Sequence, residues 1–272
     1  KAWQQTVYLK GWNAAPEFAG KIIYQIFPDR FAFSGTKKQN VPSDRVLRTD
    51  RDGDPYWIPT AEGKVLNNDY FGGDLAGITE KIPYLRELGV TCLYLNPIFE
   101  AHSNHRYNTA DYRKIDPLLG TEEDFRQLCD AAHQAGMAVI LDGVFSHTGS
   151  DSIYFNREGR YGNSGAFRDP QSPYRKWYQF EQYPYRYHSW WGIDTLPNVN
   201  EEEPTYLDFI CADDGVLAFW MGLGADGFRL DVADELPDCF LDAVRRQLKK
   251  HGARLLIGEV WEDASNKIAY GQ

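Results

Sequence analysis

Three charged residues in two short stretches have the types and spacing for chemistry. In "GADGFRLDVADE" (224 to 235) Arg229 and Asp231 stand two positions apart in an otherwise apolar, strand-like run, and in "RLLIGEVWE" (254 to 262) Glu259 closes a second such run. Side chains alternate across a strand, so Arg229 and Asp231 face one way while Phe228 and Leu230 face the other. Burying either charge alone is costly, which predicts that the two are paired. Neighbouring strands lie roughly 4.8 Å apart. If the two runs are neighbours, Asp231 and Glu259 sit at the same height, roughly 5 to 5.5 Å apart, the separation that supports double displacement at a sugar's anomeric carbon. An inverting pair stands about 6.5 to 9.5 Å apart. The expectation is that Arg229 lowers the pKa of Asp231 and keeps it ionised as a nucleophile, while Glu259, beside Val260 and Trp261, is free to have its pKa raised and to act as an acid. The competing reading is an Arg229–Asp231 ion pair that only braces the fold.

Such residues need a frame that presents them together. Five short apolar segments predict strands: "KIIYQIFPDRF" (21 to 31), "VTCLYLNPIF" (90 to 99), "MAVILDGVFSH" (137 to 147), "ADGFRLDVADE" (225 to 235) and "RLLIGEVWE" (254 to 262). Between them, 77 to 89, 121 to 136, 206 to 224 and 238 to 252 carry helical periodicity, and several of these end at a glycine. Strict alternation predicts parallel strands with right-handed crossovers. The polar residues Asp29, Arg30, Asn96, Asp142, His147, Arg229, Asp231 and Glu259 gather at the carboxyl ends of the strands, where α/β folds bind ligands. No glycine-rich turn follows the first strand, which disfavours a dinucleotide fold. The predicted fold is an α/β (β/α)8 barrel of which five strands are countable. Two insertions, about 32 to 76 and 148 to 205, interrupt it. The division is 1 to 147 for the first three strands, 148 to 205 for an inserted subdomain, and 206 to 272 for strands four and five.

Composition narrows the partners. A formal net charge of −10 over 272 residues argues against a nucleic-acid or anionic-membrane surface. No run of eighteen apolar residues exists, so no membrane-spanning helix is expected. The aromatic content of 15%, with 8 Trp and 17 Tyr, exceeds what a core needs and suggests flat faces offered to a sugar. Four dispersed cysteines, Cys92, Cys129, Cys211 and Cys239, read as buried thiols rather than as a disulfide framework or a zinc site. The chain opens at Lys1 without a methionine or a signal-peptide pattern, which leaves its localisation open between cytoplasmic and secreted.

The stretches "DGVFSH" (142 to 147), "LPNVN" (196 to 200), "GFRLDVADE" (227 to 235) and "GEVW" (258 to 261), in that order, resemble the α-amylase family, glycoside hydrolase family 13. Within it they are similar to the cyclomaltodextrinase, neopullulanase and amylopullulanase branch. "YFGGDLAGITEKIPYLRELGVTCLYLNPIF" and "HRYNTADYRKIDPLLGT" extend the likeness along nearly the whole chain. The resemblance implies that Asp231 is the nucleophile, Arg229 the arginine that holds it and Glu259 the general acid/base. It implies that His147 and Asp142 flank the glucose unit at the cleavage site and that Tyr107 stacks under it. Tyr107 lies amid His105, Arg106 and Asn108, which predicts an exposed ring. Trp261 is expected to help form the acceptor side. "YHSWWG" (187 to 192) either packs the inserted subdomain or lines the cleft.

The implied activity is retaining hydrolysis of α-1,4 bonds in maltodextrins, cyclodextrins or pullulan, with α-1,6 cleavage or transfer as further activities of the same machinery. An α-glucan is the expected partner, and no cofactor is implied. No metal is expected: Ser146 stands where many α-amylases carry an asparagine that binds calcium, and "FAFSGTKKQN" lacks the Asn- and Asp-rich character of the branch's calcium loop, although "GGD" (72 to 74) is present. The two histidines of "HSNH" (102 to 105) do not make a zinc site without further ligands. One rival is an inactive, carbohydrate-binding or transporter-associated relative, which would typically lack one of the carboxylates that this chain retains. Another is a metal-dependent barrel lyase using Asp142, Asp231 and Glu259 as a ladder, against which Arg229 in their midst argues. A closed barrel takes eight strands and about 250 residues, and the family's remaining His-Asp motif does not follow "GEVWEDASNKIAYGQ". The chain as it stands is therefore expected to be catalytically incomplete.

Overall fold

The computed structural model describes residues 18–38, 41–252, 254–261 and 263. The expectations for 1–17, Gln39, Asn40, Ala253, Glu262 and 264–272 lie outside the described residues. All five predicted strands form: β1 (Ile23–Ile26), β2 (Cys92–Leu95), β3 (Ala138–Gly143), β4 (Gly227–Leu230) and β5 (Leu255–Gly258). They pair in parallel in sequence order, β1-β2-β3-β4-β5. This order separates the chain from doubly wound sheets, whose strand order reverses in the middle. Among the described residues the sheet is open and does not close into a barrel.

The register explains which residues share a height. Ile23 pairs with Cys92 and Cys92 with Ala138, while Tyr94 pairs with Ile140 and Ile140 with Gly227. Next along the strands, Asp142 pairs with Arg229 and Arg229 with Ile257. Continuing by two residues sets Asp231 beside Glu259. The residues of this parity form one face of the sheet, where Cys92, Ala138, Ile140, Tyr94, Leu255 and Ile257 make a small apolar cluster below the charges. The opposite parity, including Leu93, Leu95, Val139, Leu141, Phe228 and Leu230, faces the helices and belongs to the main core. β3 is buried along its whole length, as a parallel strand covered on both faces should be.

The helices show where periodicity reads correctly and where it does not. The pattern at 121 to 136 gives one helix, Glu122–Gln134, opened by a capping box in which Thr121 and Asp124 satisfy each other's backbone N–H. It closes at Gly136 with φ +77°, a left-handed stop that suits glycine. The pattern at 238 to 252 likewise gives Asp238–Lys250. By contrast, 77 to 89 divides into Leu75–Glu80 and Ile82–Glu87, with Pro83 in the first turn of the second helix, where its missing N–H does no harm. The pattern at 206 to 224 divides into Pro204–Cys211 and Val216–Gly222, and Gly215 caps the second.

The insertions are irregular but anchored. Asp29 at the end of β1 accepts the N–H groups of Phe71 (3.0 Å) and Gly72 (3.2 Å), tying the return of the first insertion to the sheet. The stretch 148 to 205 carries a hairpin, Phe180–Gln182 with Arg186–Tyr187, and its Tyr154, Phe155, Trp177, Tyr178 and Val199 join the main core cluster. A second hairpin, Phe99–Ala101 with Thr109–Ile115, follows β2 and was not expected from the sequence pattern. The four cysteines are free; the expectation of buried thiols holds at Cys92 and Cys129 and fails at Cys239, which is exposed in the first turn of its helix, while Cys211 is half-buried.

Gly227 has a specific steric role at the base of β4. A Cβ there would lie 1.9 Å from the carbonyl oxygen of Leu255 on β5. Gly227→Ala is expected to destabilise the protein by about 3 kcal/mol in urea denaturation, and a loss below about 1 kcal/mol would show that the β4–β5 approach is not tight.

Candidate active site

Arg229 leaves β4 on the small-cluster face and meets three carboxylates from three adjacent strands. Its Nη1 donates to Asp142 Oδ1 (2.6 Å) at the end of β3 and to Asp231 Oδ1 (2.8 Å) just past β4, and its Nη2 lies 2.8 Å from Glu259 Oε2 just past β5. Asp142 is almost fully buried, and its Oδ2 accepts the hydroxyls of Tyr94 (2.5 Å) and Tyr107 (3.0 Å). Asn96 donates to the Tyr107 hydroxyl at 2.9 Å, and Gln25 donates to Asn96 at 3.0 Å, so the network reaches from β1 to the end of β5 and takes in the loop after β2. Tyr94 was not among the expected site residues, and Asn96 was expected at the ligand-binding edge without a role of its own. The alternation that singles out Arg229 and Asp231 could have found them, since they occupy the same parity on β2 and just past its end.

The structure corrects the expected electrostatics. Burial raises the pKa of Asp231 to about 7, and the neighbouring Asp142 adds to this, against the downward pull of Arg229. Arg229 therefore does not hold Asp231 in the ordinary carboxylate range, because one guanidinium is divided among three acids. Burial also pushes Asp142 up, opposed by Arg229 and the two tyrosine hydroxyls. Glu259 is not free beside an apolar wall: it shares Arg229 and accepts the N–H of Val232 at 3.1 Å. Its neighbours Val260 and Trp261 are exposed, Trp261 to 71%.

Val232 supplies that N–H at φ +42°, a left-handed conformation that strains a β-branched residue by about 1–3 kcal/mol. The strained turn immediately after Asp231 is thus also the turn that aims a donor at Glu259.

The remaining predicted residues are distributed around this centre. His147 is buried beneath Trp190, with ring centroids 5.8 Å apart, and its Nδ1 lies 2.9 Å from Ser146 Oγ. Burial lowers its pKa to about 4, so the imidazole is neutral around pH 7, and Nε2 has no protein partner. Tyr107 is half-buried rather than exposed, because its hydroxyl is spent on Asp142. Trp261 stands in the open, its ring 6.3 Å from that of Trp191, while its N–H donates to Asp234. Of "YHSWWG", Tyr187 packs against the main core and against Phe155, while Trp190 and Trp191 line a cleft of about 800 Å³ together with Asn198, Asn200, Glu201 and Glu235, a lining that does not include Arg229, Asp231 or Glu259.

The two stretches weighed for calcium have protein partners for the side chains in question. Ser146 Oγ is engaged by His147. Asp74 of "GGD" already receives a positive charge, the buried Lys38 ammonium, together with the Ser34 hydroxyl and the N–H groups of Ser34 and Gly77. His102 and His105 of "HSNH" have separate partners, Tyr161 and the N–H of Tyr107.

Open parallel strands that present a carboxylate cluster at their carboxyl ends place this chain among the α/β folds. The family description "Alpha amylase, catalytic domain" matches residues 25–271, and the chain belongs to the α-amylase family. It is 39% identical to an amylopullulanase of Thermoanaerobacterium saccharolyticum over 97% of this chain and 23% of that protein. It is 38% identical to neopullulanase 2 of Thermoactinomyces vulgaris over 92% of this chain and 40% of that protein. Among solved structures, the type III pullulan hydrolase from Thermococcus kodakarensis matches with a TM-score of 0.75 at 32% identity, covering 93% of this chain and 45% of that one. The chain thus spans between about a fifth and about a half of the proteins it matches.

The raised pKa of Asp231 has a measurable sign. A carboxyl whose folded pKa exceeds its unfolded value stabilises the fold while protonated, and that contribution is lost as pH rises through about 7. Asp231→Asn, which cannot ionise, is expected to raise the thermal midpoint relative to the parent more at pH 8 than at pH 5. An equal effect at both pH values would show that Asp231 is ionised throughout.

Proposed function

We propose that the protein is a retaining glycoside hydrolase that cleaves α-1,4 bonds, with α-1,6 bonds as a second target, in maltodextrins, cyclodextrins or pullulan. The observation that carries this reading is the single Arg229 guanidinium bonded to acids from three neighbouring strands, which holds Asp231 and Glu259 side by side. The names of the relatives, which include amylopullulanase and neopullulanase, support the substrate class. The same reading takes the five strands as consecutive members of a (β/α)8 barrel, contributed by 1 to 147 and 206 to 272, with 148 to 205 as an inserted lobe. The cleft lined by Trp190 and Trp191 lies on that lobe.

In this mechanism the reactive form of the Asp231–Glu259 pair holds one proton, on Glu259. Asp231 attacks the anomeric carbon as the glycosidic C–O bond breaks, and Glu259 gives its proton to the departing oxygen. Glu259 then takes a proton from water, whose oxygen displaces Asp231 and restores the starting configuration. Arg229 moderates the negative charge of the cluster, and because burial pushes the pKa of Asp231 to about 7, its ionised, nucleophilic form gains population as pH rises through that value. Asp142 acts through the groups it anchors, Arg229 and Tyr107. The half-buried Tyr107 ring offers a face to the sugar, and the unpartnered Nε2 of neutral His147 is suited to a sugar hydroxyl.

A fluoroglycoside that traps the glycosyl-enzyme, followed by peptide mapping, is expected to label Asp231. Asp231→Asn is expected to abolish capture and to lower turnover on the order of 10⁴-fold while leaving sugar binding nearly intact. Proton NMR of freshly released sugar is expected to show the α anomer first. A label elsewhere, or early β product, overturns the assignment.

A further inference from the structure

Asn96 is buried just past the end of β2 and joins two other segments through its amide. Its Oδ1 accepts Nε2–H of Gln25 on β1 at 3.0 Å, and its Nδ2 donates to the Tyr107 hydroxyl at 2.9 Å, which in turn donates to Asp142 Oδ2 at 3.0 Å. The backbone of Asn96 is fixed as well, since its N–H donates to the Ile26 carbonyl at 2.9 Å. The side-chain hydrogens in this series all point from β1 toward β3.

That order follows from what each group can offer. A phenolic hydroxyl has one hydrogen and accepts through its lone pairs, an ionised carboxylate only accepts, and an amide presents donors at one end and an acceptor at the other. With Asp142 on one side of Tyr107, the hydroxyl hydrogen is committed to Asp142 when the group on the other side is a donor. Asn96 supplies that donor. An acceptor in its place would compete for the same hydrogen, and a hydroxyl turned toward it would face Asp142 with lone pairs, so that the 3.0 Å contact would become repulsive and push the ring off the acid that anchors it.

We propose that Asn96 is a positioning residue for the reaction, its amide N–H committing the Tyr107 hydrogen to Asp142 and thereby holding the Tyr107 ring against the reacting sugar. The proposal rests on the hydrolase reading above and adds to it a residue whose side chain bonds Gln25 and Tyr107 rather than the reacting carboxylates.

Asn96→Asp keeps the shape of the side chain and makes the donor order titratable. While protonated, the new carboxyl offers one O–H and one carbonyl, the pattern of the amide; once ionised, it only accepts. The charged groups that face Tyr107 are Asp142, Arg229 and Asp231, while His105, stacked 6.1 Å from its ring, has its pKa lowered by burial to about 4 and is neutral between pH 5 and 8. In the full-length protein, with turnover of maltoheptaose counted per site trapped by the fluoroglycoside, Asn96→Asp is expected to lower kcat roughly tenfold to hundredfold at pH 8, with KM within about twofold and part of the loss recovered at pH 5. Asn96→Leu, which brings no competing acceptor, is expected to lose about threefold at both pH values. The charge of the new carboxylate acts with or without the hydroxyl, so the control is the same substitution in Tyr107→Phe protein, where the loss at pH 8 is expected to shrink below about threefold. An equal loss in both backgrounds, or a loss at pH 8 no larger than that of Asn96→Leu, overturns the proposal. Neutron diffraction from parent crystals in heavy water reads the order without turnover: deuterium between Tyr107 and Asp142, with the Asn96 amide deuterons toward Tyr107, is expected, and deuterium between Tyr107 and Asn96 with the amide oxygen facing it overturns the proposal. A parent that shows the expected order yet cleaves no α-glucan refutes the hydrolase reading and leaves the hydrogen order standing.

Discussion

A single guanidinium shared by three buried or half-buried carboxylates is the constraint around which the sheet is arranged. Arg229 offers one positive charge to Asp142, Asp231 and Glu259, and it does not offset the burial that, with the neighbouring Asp142, displaces the Asp231 pKa upward. Such a cluster is costly to bury and persists only where hydrogen bonds satisfy its lone pairs. Tyr94, Tyr107 and the Val232 N–H do so from three separate segments. The parallel register then follows as a requirement, since only in-step pairing of β3, β4 and β5 brings the acids to one arginine.

Much of this was legible in the sequence because two simple periods govern it. Alternation placed Arg229 and Asp231 on one face, and the succession of apolar runs and glycine-ended helices gave five parallel strands in order. What was not legible depends on groups far apart in the chain. The strand Thr109–Ile115 mixes Asp111, Arg113 and Lys114 with apolar residues, and only its hairpin partner Phe99–Ala101 makes it a strand. The helix breaks near Lys81 and Gly215 coincide with local signals, Pro83 and Gly215, that periodicity over a window does not register. The pairing of Glu259 with Arg229 and the direction of the Asp231 shift needed a count of charges in space. A motif read one strand at a time assigns the arginine to one acid, and three strands claim it.

Two left-handed non-glycine residues, Val232 and Trp191, show how the chain distributes strain. Each directs an N–H toward a carboxylate: Val232 its backbone N–H to Glu259, Trp191 its indole N–H to Glu235. Elsewhere, positions of the same conformation at helix ends are given to glycine, as at Gly136 and Gly224. Strain is tolerated where a side chain must be aimed and relieved where only a turn is needed.

Parity on the strands gives the site an unusual relation to folding. A slip of one residue in β4 would carry Phe228 and Leu230 onto the face of the charges and drive Arg229 into the helix layer. A β4 slipped by one residue could then hold neither Asp142 nor Glu259 on Arg229. The arginine acts as a checksum on strand alignment, and a population with a formed cluster is a population whose three strands are in step.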